Sequence, residues 1–518
     1  MTAGDLQVLL LPLLVTATAI VVLALDLMLP GDKGRPIGWI AALALVGILV
    51  ASFFVPTEGA TFGGAFVGSA WSLYFGRVAL LAGALGVLGS IDHVERRLAR
   101  RRGEYYALLC FSLAGMLLLP GARDAVLLVV AFELMGIPLY VLAAYGKTEV
   151  APEGGAKPPA AEAALKLYLV GATSTAITLF GLALVVGAAG TTELVSLLGD
   201  GPLAPLTRVG MMLVLAGMSF KVGMVPFHMW VPDTYQGAPT PFVAFLSVAP
   251  KAAGIAAIVA LFVLAPGDAA GPWPKALLLL AAASMVVGNL FALPQHDVRR
   301  LLGYSGVAQM GYAMIAVAAG GSEGLGMAAF YLGAYVVTNM GAFFVVHAVA
   351  GDEGKADLAS MAGLSQRKPW LGIALLVFLL SLAGIPFAVG FWAKLYVFLA
   401  AFRAGYVGLV GLGAVFAVVG LFYYMQVARA AFMKEPPDGA PTPKVGAALG
   451  AAILACLLGV VGFGLWPAAL HDQAAPAGVA LMAAREAGTA EAMAPIDPPS
   501  TEVLATSRAP RSAQEEAP

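Results

Sequence analysis

Apolar runs of about twenty residues, the length that crosses a bilayer as an α-helix, recur along this chain between short polar loops. In the first half they predict spans near residues 6–29, 37–56, 70–91, 105–121, 125–145, 162–187 and 208–231. In the second half the spans fall near 239–265, 274–293, 299–319, 325–349, 370–401, 405–430 and 446–468. The pattern is that of an all-α integral membrane protein with fourteen transmembrane helices. The first run is expected to remain a span, because residues 1–5 carry no basic stretch and the run is too long for a signal-peptide core.

Basic residues concentrate in every second loop. One set holds Lys33 and Arg35, then Arg96, Arg97, Arg100, Arg101 and Arg102, then Lys147 and Lys157. It continues with Arg299 and Arg300, with Lys355, Arg367 and Lys368, and with Arg429, Lys434 and Lys444. The alternate loops offer only Arg123, Arg208, Lys275 and Arg403. Short basic loops stay cytoplasmic, so both termini are expected on the periplasmic side of a bacterial inner membrane. Residues 148–160 read as a Pro/Gly-rich loop, and residues 471–518, rich in Ala, Pro, Glu and Ser, as a disordered tail.

Composition agrees with the pattern. Hydrophobic residues make up 60% of the 518, charged residues only 11%, and the mean hydropathy is +0.89. A soluble domain carries about 25% charged residues. With a net charge of -1, nothing favours nucleic acid as a partner. The two cysteines, Cys110 and Cys456, lie far apart in apolar runs, with no CxxC or Cys/His spacing for zinc or iron–sulfur. No metal or redox centre is expected within the chain.

Several charges fall where the bilayer should be: Asp26, Arg77, Glu133, Lys166, Lys221, Lys251 and Lys394. A charge at that depth costs at least ~2.5–3.5 kcal/mol on insertion scales, so intramembrane charges mark ion paths by default. Glu133, Lys221 and Lys251 lie near mid-span, too deep to snorkel. Lys394 follows a break and is expected in the periplasmic half, where snorkelling is an alternative. Lys166 lies one turn after Glu162 and reads as an interfacial i,i+4 pair. Asp26 and Arg77 are near helix ends and read as structural. His228 and His347 are candidates for a water wire, although a buried structural histidine is the commoner case.

Two breaks echo each other. Span seven holds Gly223-Met224-Val225-Pro226-Phe227 and span twelve holds Ala383-Gly384-Ile385-Pro386-Phe387. Pro226 and Pro386 each remove a backbone donor and should interrupt the helix. Paired interruptions in two halves of a membrane protein point to an ion path. A Glu–Lys pair at ~4 Å and an effective dielectric of ~20 is worth about 4 kcal/mol. Making or breaking such a pair could switch a lysine between holding and releasing a proton, without a cofactor.

These motifs carry a resemblance. Phe132-Glu133-Leu134-Met135, Glu162-Ala163-Ala164-Leu165-Lys166 and above all VPFHMWVPDTYQGAPTPFVAFLSVAPKAA (225–253) resemble subunit N of bacterial complex I, the proton-pumping NADH:quinone oxidoreductase. Its mitochondrial counterpart is NADH dehydrogenase subunit 2. YSGVAQMGY (304–312) and GIPFAVGFWAK (384–394) follow in the expected order, and the likeness covers about residues 1–470. Other antiporter-like branches, Mrp-type sodium/proton antiporters among them, usually show a His-Ala acidic pattern before the APTP segment. Here the chain reads Asp233-Thr234-Tyr235-Gln236-Gly237, which favours subunit N.

The resemblance implies two inverted five-helix repeats with discontinuous helices 7 and 12. The implied division is 1–103 for helices 1–3, 104–270 and 271–435 for the repeats, 436–470 for helix 14 and 471–518 for the tail. It also implies roles: Glu133 pairing with Lys221, Lys251 as the central proton carrier and Lys394 as the exit-side group. NADH, flavin, iron–sulfur clusters and quinone would belong to other membrane and peripheral subunits of a translocase. The alternatives are a stand-alone or Mrp-type cation/proton antiporter, and a membrane scaffold whose charges only lock helices together.

Overall fold

The computed structural model describes residues 3–28, 36–55, 59–97, 102–148, 160–197, 204–264, 273–351 and 354–492. Most of the expected loop 148–160 and the end of the tail lie outside them. The chain begins with α1 (Ala3–Val8), α2 (Leu10–Met28) and α3 (Ile37–Ala51). A short antiparallel hairpin of β1 (Gly59–Thr61) and β2 (Phe66–Gly68) follows, which the apolar pattern did not foretell. Then come α4 (Ala70–Arg97), α5 (Arg102–Leu118), α6 (Ala125–Ala143) and α7 (Ala160–Ala189). Asp124 starts α6 by accepting the N–H groups of Val126 (2.8 Å) and Leu127 (3.2 Å), a standard helix cap.

Span seven is two pieces, α8 (Pro205–Val222) and α9 (Trp230–Gly237), and span eight is also two, α10 (Thr240–Leu246) and α11 (Ala249–Leu264). As the apolar run 239–265 predicts, Thr240–Val263 still forms one membrane-length stretch, with a local turn at Ser247-Val248. The second half comprises α12 (Trp273–Ala292), α13 (Val298–Ala319), α14 (Gly321–Ala350), the short α15 (Leu364–Arg367), α16 (Pro369–Ala383) and α17 (Val389–Arg403). It closes with α18 (Val407–Met433), α19 (Ala447–Leu465) and α20 (Ala468–Ala492). Among the described residues, twelve helical stretches are long and apolar enough to cross a membrane. Two shorter apolar helices, α3 and α16, accompany them.

The two expected breaks are present, but glycine makes them. α8 ends at Gly223 (φ 77°), where Met224 N–H reaches back to Ser219 O at 3.0 Å. α16 ends at Gly384 (φ 87°), where Ile385 N–H reaches Leu380 O at 3.0 Å. Both are six-to-one closures around a left-handed glycine, the Schellman termination. Pro226 and Pro386 lie after the helices have already ended, where their missing N–H prevents an immediate restart.

Helix α14 is the axis of the molecule: its apolar window is wholly buried, whereas that of α18 is 22% buried. α4, α10, α13, α16, α17, α19 and α20 surround α14. Small residues allow the closest crossings, as expected where helices pack without a hydrophobic driving force. A side chain at Gly288 of α12 would strike the backbone of α13 at Ala308 and Tyr304.

Over residues 471–492 the expected disorder gives way to helix, and residues 493–518 of that tail lie outside the described residues. α20 runs to Ala492 and buries Ala474, Ala477 and Leu481 against the bundle. Its composition hides the helix: alanines at close spacing pack tightly without producing a strong apolar stripe. Gly478 lies against the backbone of Ser322 and Gly326 at the start of α14. Gly478→Leu should therefore lift α20 off α14 and destabilise the protein by about 1–3 kcal/mol, the usual cost of overpacking. A thiol-reactive dye reporting exposure of the buried Cys110 and Cys456 during heating would check this. An unchanged melting curve would contradict it.

Candidate functional site

Lys221 lies two residues before the Gly223 break and is 6% exposed. Its Nζ donates to Tyr140 Oη at 2.9 Å and lies 4.7 Å from the Phe132 ring centre and 5.0 Å from that of Tyr140. Gly136 on α6 leaves room for the ammonium, since a side chain there would collide with it. Glu133, one turn earlier on α6, takes a hydrogen bond from Thr175 Oγ1 at 2.7 Å. The expected direct Glu133–Lys221 pair does not form. Thr175 on α7 holds the carboxylate and Tyr140 holds the lysine, so no hydrogen bond joins the two charges directly.

Lys251 follows the α10–α11 turn and is 0% exposed. Among the described residues its Nζ has no hydrogen-bond partner. The room around it comes from glycines on other helices more than from its own neighbours. A methyl at Gly306 of α13 would sit 3.1 Å from Lys251 Nζ and 3.0 Å from Tyr335 Oη, and one at Gly223 would sit 3.7 Å from Nζ. Gly254, by contrast, is used for packing against Val222. Tyr235 lies with its ring centre 5.6 Å from Nζ. The hydroxyls of Tyr235 and Tyr335 and Nδ1 of His228 are likewise buried without partners. An unpaired buried polar group costs about 1–3 kcal/mol, so polar groups gathered this way form a place that water can satisfy.

Lys394 is held in the interior. Its Nζ donates to Leu382 O (2.9 Å) and Ala383 O (3.0 Å), the carbonyls left free where α16 ends, and it is 7% exposed. Unpaired carbonyls at a helix C-terminus attract a cation, which explains why the side chain does not snorkel outward. Tyr312 adds its ring, 4.9 Å from Nζ to the centre.

Between Lys251 and Lys394 lies a polar set that the sequence reading missed. Gln309 donates to Leu382 O (3.1 Å) and Tyr424 Oη (3.0 Å) and accepts from Tyr331. Thr338 and Ser381 exchange a hydrogen bond at 3.2 Å. A cavity of about 20 Å³, room for one water, is lined by Gln309, Tyr331, Tyr335, Thr338, Ser381 and Lys394, among others. Tyr335 thus borders both the Lys251 cradle and the Lys394 cavity. The available signal was the spacing Tyr331, Tyr335, Thr338, a polar stripe along one face of an otherwise apolar helix.

Other candidates divide. Lys166 pairs with Glu162 (2.7 Å) as expected, and also with Asp233 (2.8 Å), whose other oxygen takes Arg300 at 2.5 Å. Asp26 accepts the Gly103 N–H at 3.1 Å, and Arg77 bonds Ser52 and Gln473, so both tie helices together. His228 lies in the α8–α9 connection, its ring centre 6.3 Å from that of Tyr304. His347 is set apart from this constellation: its ring faces His93 at 5.5 Å, at the arginine-rich end of α4.

Comparison with known proteins gives the same direction. Residues 122–420 match the family described as "NADH:quinone oxidoreductase/Mrp antiporter, TM". The chain is 38% identical over 474 residues to NADH-quinone oxidoreductase subunit N of Moorella thermoacetica, covering 91% of this chain and 98% of that protein. It is 38% identical over 454 residues to the subunit N of Heliobacterium modesticaldum, covering 87% and 94%. Among solved structures it is similar to a chain of respiratory complex I from Thermus thermophilus with bound aureothin. The TM-score there is 0.76, with 33% identity, 90% of this chain and 99% of that one. A chain of the Mrp complex from Dietzia sp. DQ12-45-1b shares the fold, with TM-score 0.82 and 22% identity over 95% and 99%.

Gln309 joins α13, α14, α16 and α18 in one buried contact. Gln309→Leu should leave the Tyr331 hydroxyl without its acceptor and lower stability by about 1–3 kcal/mol. Thermal unfolding of the variant checks this, and equal stability to the parent would contradict it.

Proposed function

The chain belongs to the subunit N family of NADH-quinone oxidoreductase, and from that membership we propose that it carries protons across the membrane through Glu133, Lys221, Lys251 and Lys394. It is a multi-pass membrane subunit of a translocase complex. In this reading there are fourteen crossings, with the broken pairs α8–α9 and α16–α17 as helices 7 and 12 of two inverted repeats. Both termini face the periplasm, across the bacterial inner membrane from the basic loops. NADH, flavin, iron–sulfur and quinone chemistry belongs to partner subunits, and quinone reduction there drives proton movement here.

One observation carries the proposal: Lys251 is fully buried, unpaired, and framed by hydroxyls and glycines between two other buried lysines. A scaffolding lysine would be expected to have its donors satisfied, because leaving a buried charge unpaired is strongly destabilising. A carrier needs the opposite, a site that accepts a proton from one side and loses it to the other through water. Glu133 sets the field at Lys221, Lys221 sits at one break, and Lys394 waits on the carbonyls of the other.

Lys251→Met fills similar volume, removes the titratable site and relieves the cost of burying charge. The assembled complex should be stable, with proton uptake into inside-out vesicles severely reduced beside donor:quinone turnover. Lys251→Arg should be similarly impaired, since a guanidinium does not give up its proton. Normal uptake with an assembled Lys251→Met complex would overturn the carrier role.

Glu133→Gln keeps the volume and the Thr175 hydrogen bond while removing the charge that reaches Lys221. Lower uptake with intact assembly is expected in the same vesicles. Unchanged uptake would count against electrostatic control of Lys221 by Glu133.

A further inference from the structure

A cavity of about 530 Å³ opens at the arginine-rich end of the bundle, away from the buried lysines. It lies where the C-terminal ends of α4 and α14 meet α15 and the segment leading into α19. Five permanent cations line it: Arg96, Arg97, Lys355, Arg367 and Lys444. The paired rings of His93 and His347 form part of its wall.

Among the described residues lining the cavity, carboxylates are outnumbered by these cations. Among the described residues, Arg96, Lys355 and Lys444 form no salt bridge, and Arg96 Nε donates only to the Asp92 carbonyl at 3.0 Å. Two aspartates also line the cavity. Asp357 accepts the Ser360 N–H at 2.8 Å, and Asp438 is exposed. Asp92 lies close by, but its carboxylate accepts the Leu449 N–H at 3.1 Å.

Arg367 is placed differently. It donates to Ser360 O (2.6 Å), Ala362 O (3.2 Å) and Pro441 O (3.0 Å), pinning two walls together. Its Nε is buried without a partner. A ring of cations that repel one another, around an orphan N–H and two imidazoles, is stabilised by an anion with several oxygens. Phosphate fits best, because guanidinium forks and ammonium groups bind its oxygens with charge-assisted hydrogen bonds. The volume suits a headgroup or a diphosphate rather than a halide.

We propose that this cavity binds a phosphate-bearing anion at the arginine-rich membrane face, either the headgroup of an anionic phospholipid or a soluble phosphate. Basic pockets between transmembrane helices on the cytoplasmic side are a recurrent place for anionic headgroups. The site is separate from the buried lysines and does not depend on their role.

The test uses the whole complex, stripped of lipid and reconstituted in discs of phosphatidylcholine alone or phosphatidylcholine with phosphatidylglycerol. Native mass spectrometry counts retained phosphatidylglycerol, and calorimetric titration with inorganic pyrophosphate in phosphatidylcholine discs tests the soluble source. The paired change R96Q/K444Q should weaken binding of one of these anions by about tenfold or more, whereas R96K/K444R should retain it. The single change Lys355→Gln at the exposed rim gives a smaller loss and remains informative if the paired change blocks assembly. Retention of phosphatidylglycerol that falls with the charge identifies a lipid headgroup, and pyrophosphate binding that falls with the charge identifies a soluble phosphate. If neither anion binds, or if binding is the same in parent, R96Q/K444Q and Lys355→Gln, the proposal is overturned.

Discussion

Three ammonium groups kept away from bulk water are the constraint around which this fold is arranged. Each costs at least ~2.5–3.5 kcal/mol at bilayer depth, and the chain meets that cost in three different ways. Lys221 has a tyrosine hydroxyl and two aromatic faces, and Lys394 has the free carbonyls of a terminated helix. Lys251 has glycines that let other helices approach its ammonium closely, and hydroxyls that lack partners of their own. Of the three, Lys251 alone lacks a fixed hydrogen-bond acceptor, which is why the proposed relay places its central carrier there.

The helix breaks follow from the same need. A continuous helix consumes its own backbone carbonyls, leaving none for a buried cation. By ending α8 at Gly223 and α16 at Gly384, the chain opens each helix beside a lysine in matched geometry. The outcome differs between the halves: Lys394 uses the freed carbonyls, whereas Lys221 precedes its break and turns toward α6. A local turn at Ser247-Val248 precedes Lys251 within its span. There Asn339 on α14 donates to Ser247 Oγ at 2.8 Å.

Much of this was legible in the residues themselves. Apolar run length locates the helices, and charges inside those runs locate Lys221, Lys251 and Lys394. The Gly/Pro motifs locate both breaks, although the left-handed glycines, not Pro226 and Pro386, end the helices. What stayed hidden depends on tertiary neighbours. Thr175 binds Glu133 and Tyr140 binds Lys221, and no spacing along the chain reveals which hydroxyl reaches which charge. Gly306 and Gly223 make the Lys251 cradle from distant helices. The Ser247-Val248 turn sits in an unbroken apolar run. α20 was masked by an alanine-rich composition that resembles a disordered tail but packs closely on α14.

The proposed path requires space for water beside Lys251 as well as the charge itself. Gly306→Val tests it most directly, because it leaves every titratable group in place and fills the space between Lys251 Nζ and Tyr335 Oη. The measurement is dye-monitored proton uptake in inside-out vesicles bearing the assembled Gly306→Val complex. Normal assembly with severely reduced uptake is expected. Full uptake by an assembled Gly306→Val complex would contradict it.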